Sequence, residues 1–237
     1  MRAGLTSMLP PTALTRHAVR AMTLIILGTA IFLVARYGSL PGLLPVHFAP
    51  NSMPNGWQYK TLERVLMPAF VQLALLVTLG GIGALLLSRT DRGLAPDGPD
   101  VTAAATAAEA VILIALIWVT FQAYAAFALV RMWTAGRSGL GSTYGLLELI
   151  GLVLTAVVGV RAHVRLGRPE PLVYIPEHWR LGQLYCNANH PALFVPTRDG
   201  SRWTLNFGRP ATVVLLAIIL AVGVMLPALI LVLALRS

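Results

Sequence analysis

Residues 110–130 read AVILIALIWVTFQAYAAFALV, a stretch without any Asp, Glu, Lys or Arg. A helix rises about 1.5 Å per residue, so roughly 20 apolar residues cross the ~30 Å hydrocarbon layer of a bilayer. Two further charge-free runs, 65–88 and 210–235, reach the same length. The runs 21–35 and 138–160 reach it if the charges at their ends snorkel to the interface. We therefore predict an all-α integral membrane protein, a bundle of about five transmembrane helices.

The composition supports a lipid environment. Hydrophobic residues make up 57% of the chain and charged residues 11%, both outside the range of ordinary soluble domains. A soluble protein with five buried helices would need polar segments to cover them. Only the segments near 89–104 and 161–209 could supply that surface, and they are too short.

The net charge of +9 predicts an orientation in the membrane. Basic residues stay on the cytoplasmic side of bacterial-type membranes. With the N-terminus inside, 12 of the 18 basic residues fall in inner segments and six in outer ones. We therefore expect a multi-pass protein of the bacterial cytoplasmic (inner) membrane, with its N-terminus cytoplasmic and its C-terminus outside. The charge then needs no nucleic acid as a partner; the expected partner is the lipid bilayer.

The chain is divided into four parts by these runs. Residues 1–20 form a basic cytoplasmic arm, and 21–162 form a four-helix transmembrane region with an outer loop at 38–61. Residues 163–209 are a cytoplasmic polar segment, and 210–237 carry the fifth transmembrane helix. The helices are predicted at about 21–37, 62–88, 105–132, 142–162 and 210–235.

The polar segment 163–209 changes character from Gln183 onward, where short runs of β type appear at 184–186, 193–195 and 203–207. The turn RDGS at 198–201 separates the last two runs and is typical of a hairpin connection. We predict a small β-containing element that lies against the membrane or the helix ends.

The outer loop carries the first resemblance to a known family. Residues 40–48 read LPGLLPVHF, and the pattern continues through PNGW at 54–57 to Lys60. This order resembles the extracytoplasmic loop of SdpI-like bacterial membrane proteins, a group that includes an immunity protein protecting a producer cell from its own killing peptide. The resemblance implies that the loop recognises a peptide or an amphiphile outside the cell, through Pro45, His47, Phe48, Trp57 and Lys60.

The polar segment carries the second resemblance. It reads YCN at 185–187 and LFVP at 193–196, followed by GSRWTLNFG at 200–208. This pattern is similar to a short cytoplasmic domain of unknown function that often accompanies the first loop. The resemblance implies an inner motif, where a protein partner could bind, made of Asn187, Pro191, Phe194, Pro196, Arg198, Trp203 and Asn206.

The outer-loop residues also have structural interpretations. His47 either contacts a ligand or hydrogen-bonds loop carbonyls and holds the proline-rich turn. Trp57 is expected at headgroup depth, as aromatic residues at membrane interfaces are. Lys60 faces lipid phosphates in the simplest interpretation.

Polar side chains inside the apolar runs form a second group of candidates. An unpaired carboxylate in hydrocarbon costs at least ~2.5 kcal/mol, so Glu109 and Glu148 should each have a partner or reach water. In one interpretation Glu148 lines a polar cavity or a proton path with Gln122 on helix three or Gln72 on helix two. Tyr124 is a further candidate for that cavity.

The alternative for Glu148 is simpler. It lies close enough to the outer boundary to snorkel, or it pairs with Arg131 or Arg137. The sequence leaves both interpretations open.

The remaining chemistry is sparse. The single cysteine, Cys186, excludes an internal disulfide and a multi-thiolate metal site. No glycine-rich phosphate loop, HExxH or GxSxG motif is present. We expect no catalytic residues, metal or cofactor. The first hypothesis is a non-enzymatic membrane protein for peptide-toxin immunity, resistance or signalling; the alternative is a transporter or an accessory subunit of a larger membrane complex.

Overall fold

The computed structural model describes residues 6–49, 53–90, 99–136, 139–169 and 171–221, and most of them are helical. Four of the described helices are long and apolar enough to cross a membrane. The helices are α1 (Ala13–Arg36), α2 (Leu62–Leu86), α3 (Pro99–Ala135), α4 (Ser142–Leu166) and α5 (Pro210–Leu220).

The number of candidate spans among the described residues is four, not the five expected. The fifth predicted span, 210–235, is represented by α5, an apolar helix of 11 residues. Residues 222–237 lie outside the described part of the chain, and so does the remainder of that prediction.

Proline and glycine define the helix ends. Pro10 and Pro11 precede α1, because proline lacks the amide hydrogen that a helix interior requires. Pro99 opens α3, where the missing amide hydrogen costs nothing. Gly136 and Gly167 follow the ends of α3 and α4 with φ of 59° and 57°, the left-handed conformation that closes a helix without a Cβ penalty.

Two helices begin earlier than the apolar runs indicated. The helix α1 starts at Ala13 rather than near 21, and α3 starts at Pro99 rather than near 105. The apolar runs show only where charged residues are absent. A helix needs satisfied backbone hydrogen bonds and can continue past the end of such a run. The first turns therefore carry polar residues such as Arg16 and Asp100.

The strands form four separate antiparallel pairs, β1 with β4, β2 with β3, β5 with β6 and β7 with β8. Their bounds are β1 (Thr6–Met8), β2 (Leu43–Phe48), β3 (Pro54–Tyr59), β4 (Ser88–Thr90), β5 (Trp179–Arg180), β6 (Leu184–Tyr185), β7 (Phe194–Pro196) and β8 (Trp203–Leu205).

The predicted outer loop 38–61 contains a β-hairpin, which the sequence did not indicate. Strand β2 pairs with β3 from Leu43 opposite Tyr59 to Phe48 opposite Pro54, with register shifts around His47. Each strand contains a proline, Pro45 in β2 and Pro54 in β3. These prolines hid the strand pattern in the sequence, because proline is rarely found in a strand interior. The shifts allow two strands that carry proline to pair.

The pair β1–β4 was not predicted, because its strands are far apart in the sequence: one lies in the predicted N-terminal arm and the other at the end of the predicted second helix. Thr6 lies opposite Thr90 and Met8 opposite Ser88. The β7–β8 pair does follow the prediction: Val195 lies opposite Thr204 across the 198–201 turn.

The chain divides into two compact units. The bundle unit comprises Ala13–Gly80 and Ile112–Val160; the terminal unit comprises Met1–Thr12, Gly81–Val111 and Arg161–Ser237. In the bundle unit, one apolar cluster is built around buried Leu33, Leu44, Val65, Ala126 and Trp133, and another around Ala18, Met22, Ile112, Ala115 and Val119. In the terminal unit, Tyr185, Ala192 and Val195 form a small core.

Candidate functional site

A cavity of about 1270 Å³ lies in the bundle unit, beside the β2–β3 hairpin. Its walls come from the C-terminal half of α3, the first turns of α4, the residues between these helices, and Ala49 and Met53 of the hairpin. Apolar and polar side chains line it together. The apolar lining includes Phe127, Met132 and Leu140, and the polar lining includes Tyr124, Arg131, Tyr144 and Glu148.

Helical periodicity brings these side chains to the cavity. Residues three and four apart in a helix share a face. Tyr124, Phe127 and Arg131 therefore follow one face of α3, and Tyr144 and Glu148 follow one face of α4. The result is a charged group of each sign in one cavity that polar and apolar side chains line together.

Arg131 and Glu148 are the two charged residues of the cavity. Both are exposed, and within the described residues they form no ion pair with each other. The Arg131 guanidinium lies 5.7 Å from the centre of the Phe127 ring, a cation–π contact. Arg137, the other partner considered for Glu148, lies outside the described residues.

An aromatic contact joins α3 and α4 beside the cavity. The rings of Phe121 and Tyr144 lie 5.1 Å apart, centre to centre. About two turns further along α4, Gly151 is buried, and a side chain there would contact Ile117 and Trp118. The small residue allows the two helices to approach closely.

The hairpin is fixed to the bundle by hydrogen bonds. The Trp133 indole nitrogen donates to the carbonyl of Pro45 at 3.0 Å. The Lys60 ammonium donates to the carbonyls of Tyr37 and Leu40 at 3.1 and 2.9 Å, and it lies 4.7 Å from the centre of the Tyr37 ring. These contacts hold the chain between α1 and α2 in place.

The structure places the predicted outer-loop residues on this hairpin. His47 is exposed on β2, and its Nδ1 forms a hydrogen bond with the side-chain oxygen of Asn55. Gly56 lies opposite, where a Cβ would come 2.9 Å from the Cβ of His47. Trp57 is exposed on β3, and Phe48 ends β2. The His47 ring thus has a structural contact, with a side chain instead of the loop carbonyls considered above.

The intramembrane polar residues do not converge on one site. Gln72 is fully buried and donates to the carbonyl of Val119 at 2.9 Å and to the Thr29 hydroxyl at 3.2 Å. Gln122 is half-buried on α3. Neither lines the cavity with Glu148, although Tyr124 does.

Glu109 has partners that the sequence did not identify. Its Oε1 lies 2.6 Å from Nη1 of Arg165 and 3.0 Å from Nη1 of Arg161, and its Oε2 accepts a hydrogen bond from the Thr12 hydroxyl at 2.7 Å. The two arginines are one turn apart on α4, a spacing that places both on one face. That spacing is the only signal in the sequence that could have suggested the pairing.

The inner motif is organised by Asn206, which is fully buried. Its Oδ1 accepts the amides of Asn187 and Gly208, both at 3.0 Å. Its Nδ2 donates to the Asn187 carbonyl at 2.8 Å, and to the carbonyls of His190 and Ala192 at 3.3 Å each. One side chain therefore connects two distant stretches of the segment.

The other motif residues contribute further internal contacts. Arg209 donates to the Pro191 carbonyl, and the Trp203 indole nitrogen donates to the carbonyl of Leu166, the last residue of α4, at 3.0 Å. The Arg198 guanidinium lies 4.3 Å from the centre of the Tyr174 ring. Phe194 and Pro196 lie in β7. The structure thus brings Asn187, Pro191 and Asn206 together and places Arg198 and Trp203 at separate contacts.

Cys186 is a free, partly buried thiol. No group of three or more His, Cys, Asp or Glu suited to a metal ion occurs in the part of the chain that the structure describes.

Comparison with family models, with curated proteins and with solved structures finds no significant match. The class of protein therefore rests on the fold itself. Four long apolar helices with short strands between them fit a mostly α-helical, multi-pass membrane protein.

Proposed function

We propose that this protein is a non-enzymatic membrane receptor or protective protein that binds an amphiphilic ligand in the cavity beside the β2–β3 hairpin. The ligand class is a peptide or lipid-like molecule with an apolar body and charged groups of both signs. Peptide-toxin immunity or membrane signalling in a bacterial inner membrane is the biological setting that the SdpI-like resemblance suggests.

The observation that carries the proposal is the combination of Arg131 and Glu148 with apolar side chains in one mixed polar and apolar cavity. A charged group of each sign lines one space, and the two are not paired with each other among the described residues. Phe127, Met132 and Leu140 supply apolar surface beside them. Arg131 would bind an anionic group of the ligand, and Glu148 a cationic one.

The position of the cavity also supports this function. Arg131 lies near the end of α3, and Glu148 lies near the beginning of α4. Both are therefore close to one boundary of two candidate spans, where an amphiphile would partition. The hairpin contributes Met53, whose side chain is 52% exposed.

The test is direct binding to the protein in lipid nanodiscs, with a fluorescent zwitterionic lysophospholipid as the probe. We expect saturable binding that Arg131→Gln or Glu148→Gln weakens about tenfold, the equivalent of 1.4 kcal/mol. Arg36→Gln and Glu63→Gln are matched controls. Arg36 also lies over a phenylalanine ring, at 5.9 Å from Phe32, and neither control residue lines the cavity.

The same binding by all four variants would contradict the proposal. A growth assay then connects binding to protection. Cells that produce the protein should survive an amphipathic killing peptide, and Arg131→Gln should abolish survival while Arg36→Gln preserves it.

An accessory subunit of a larger membrane complex is the second candidate. The helix α4 favours it, because only 6% of its most apolar stretch is buried, against 22 to 39% in the other three candidate spans. Co-purification of a stoichiometric membrane protein in mild detergent, lost when leucine-to-arginine changes are made on α4, would support this alternative.

A further inference from the structure

The β5–β6 turn in the terminal unit presents an apolar side chain in an unfavourable backbone conformation. Leu181 has φ of 49°, and Gly182 has φ of 74°. The amide of Gln183 donates to the carbonyl of Arg180 at 3.2 Å and closes the turn. Positive φ at both central positions is the pattern of a type I′ turn, where Asn, Asp and Gly are favoured. A leucine is disfavoured there because its Cβ approaches the following carbonyl.

Packing in the structure does not account for this leucine. Its side chain is 92% exposed. A residue that breaks a local rule without a compensating contact is the kind of position where a functional contact is expected. Leu181 is therefore a candidate for an apolar contact outside the described residues.

A second apolar stretch lies just upstream. Residues Leu172, Val173, Tyr174 and Ile175 are all exposed, and Val173 is 85% exposed. The amide of His178 donates to the Ile175 carbonyl at 3.1 Å, so a short helical turn links this stretch to β5. Single exposed apolar residues are ordinary, but consecutive ones beside an exposed turn leucine indicate an interaction surface.

The segment that carries this surface is basic. Among the described residues from 165 to 202, the exposed charged side chains are those of Arg165, Arg168, Arg180, Arg198, Arg202, Glu177 and Asp199. Five are positive and two are negative, and one of the five, Arg165, is paired with Glu109. Basic clusters at the end of a membrane span attract anionic lipids.

The attachment of the polar segment keeps it close to the ends of apolar helices. The Trp203 indole donates to the carbonyl of Leu166, at the end of α4. The chain then enters α5 at Pro210. The turn at Leu181 lies on the segment between these two points.

We propose that the Leu181 turn and residues 172–175 insert into the headgroup region of an anionic membrane leaflet, with Arg180 at the lipid phosphates. The bilayer is a better occupant than a protein, because it supplies apolar depth and negative charge together. This inference does not depend on the proposed ligand-binding function.

Site-directed spin labelling of the full-length protein tests the proposal. The background is Cys186→Ser, with Cys186→Ala as a second background if the first lowers the melting temperature. Nitroxides are attached at Leu181→Cys and at Ser201→Cys, an exposed position in the other hairpin turn. The sample is reconstituted in phosphatidylcholine with phosphatidylglycerol, and collisions with oxygen and with a water-soluble nickel chelate are compared.

We expect the label at 181 to favour oxygen over nickel several-fold more than the label at 201 does. Equal ratios at the two positions would overturn the proposal. Dipolar broadening between labels at 181, removed by dilution with unlabelled protein, would assign the surface to a second copy and would also overturn it.

The strained turn provides an independent variant. Leu181→Asn suits the positive φ, so it should leave the fold intact or improve it, while removing the apolar anchor. A label at Val173→Cys should then become several-fold more accessible to the nickel chelate. Leu181→Met should keep the original accessibility, and loss of insertion in both variants alike would contradict the role of the apolar side chain.

Discussion

Glu109 provides the sharpest test of the packing of the terminal unit. The residue is 3% exposed, and one of its oxygens lies within 3.0 Å of both Arg161 and Arg165. The arginine side chains are 45% and 44% exposed. The carboxylate is therefore buried, whereas both of its cationic partners can still reach water or lipid headgroups.

Because of this asymmetry, we expect the effects of the two arginine substitutions on the free energy of unfolding to be strongly non-additive. Arg161→Gln or Arg165→Gln alone leaves Glu109 one cationic partner, so each should cost about 0.5 to 1.5 kcal/mol in the free energy of unfolding. The double change leaves a buried carboxylate without a cation. We expect it to cost about 3 to 4 kcal/mol, more than the two single changes together.

A third substitution separates charge from packing. Adding Glu109→Gln to the double variant removes the buried charge and keeps a side chain of similar size that can still bond to Thr12. We expect the triple variant to recover about 1 to 2 kcal/mol relative to the double variant. The shape of the cluster is nearly unchanged, so any recovery reports electrostatics.

The assay is reversible unfolding in mixed micelles with increasing SDS, monitored by tryptophan fluorescence. Arg36→Gln is the control for removing an exposed arginine from another helix end. Two results would contradict this prediction. One is a double variant whose loss of unfolding free energy equals the sum of the two single losses, and the other is a triple variant that is less stable than the double variant.

Three further predictions concern single contacts. Gly208→Ala should destabilise the polar segment by about 1 to 3 kcal/mol, because the new Cβ would lie 2.6 Å from the backbone of Asn187. Faster proteolysis of that segment would show the loss of stability. Gly159→Ala, whose new Cβ would meet no atom within 4 Å, should leave the rate of proteolysis unchanged. Hydrogen bonds from Thr197 and Ser201 hold the pKa of Asp199 well below its ordinary value of 3.8. The ionised carboxylate therefore stabilises the turn fully above pH 3.8, and this stabilisation is lost as the pH falls through the lower pKa of the folded state. Hydrogen exchange of the Ser201 amide, corrected for intrinsic rates, should accelerate in that acid range, and Asp199→Asn should remove the pH dependence. Trp133→Phe should remove the indole donor to the hairpin, cost about 1 kcal/mol, and increase exchange in β2 and β3; unchanged exchange would contradict that role.

The apolar runs predicted the four long apolar helices because hydrocarbon imposes a simple requirement on sequence. A helix that meets lipid tails must be apolar over a fixed length, and α3 shows this directly at 110–130. The runs could not locate where α1 begins, because Arg16 and Arg20 are compatible with a helix whether or not it is in lipid. Proline at 10 and 11 was the better marker of that boundary.

The contacts between distant residues were beyond prediction. The sequence required a partner for Glu109, but arginines occur at both ends of several helices, and nothing local selected Arg161 and Arg165. The pair β1–β4 has the same difficulty, since three-residue strands carry no pattern of their own. Asn206 was singled out only by the family resemblance, and nothing in the sequence indicated that its side chain makes five hydrogen bonds to backbone groups.

The hairpin illustrates a different reason for failure. The sequence indicated a loop over 38–61, and Pro45 and Pro54 gave no sign that the loop forms strands. The structure places proline at paired positions and accommodates it by register shifts next to His47. The cavity beside it was anticipated only in part: Tyr124 and Glu148 line it, whereas Gln72 and Gln122 do not.

The central claim is that the chain crosses a bilayer at α1, α2, α3 and α4 in alternating directions. Single cysteines at Asn55, Ser142 and Ser201, in a background without Cys186, test it in intact cells with a membrane-impermeant maleimide. The account predicts labelling of Asn55→Cys and Ser142→Cys from outside and of Ser201→Cys only after the cells are opened. Labelling of Asn55→Cys and Ser142→Cys from opposite sides, or of all three positions in unopened cells, would contradict it.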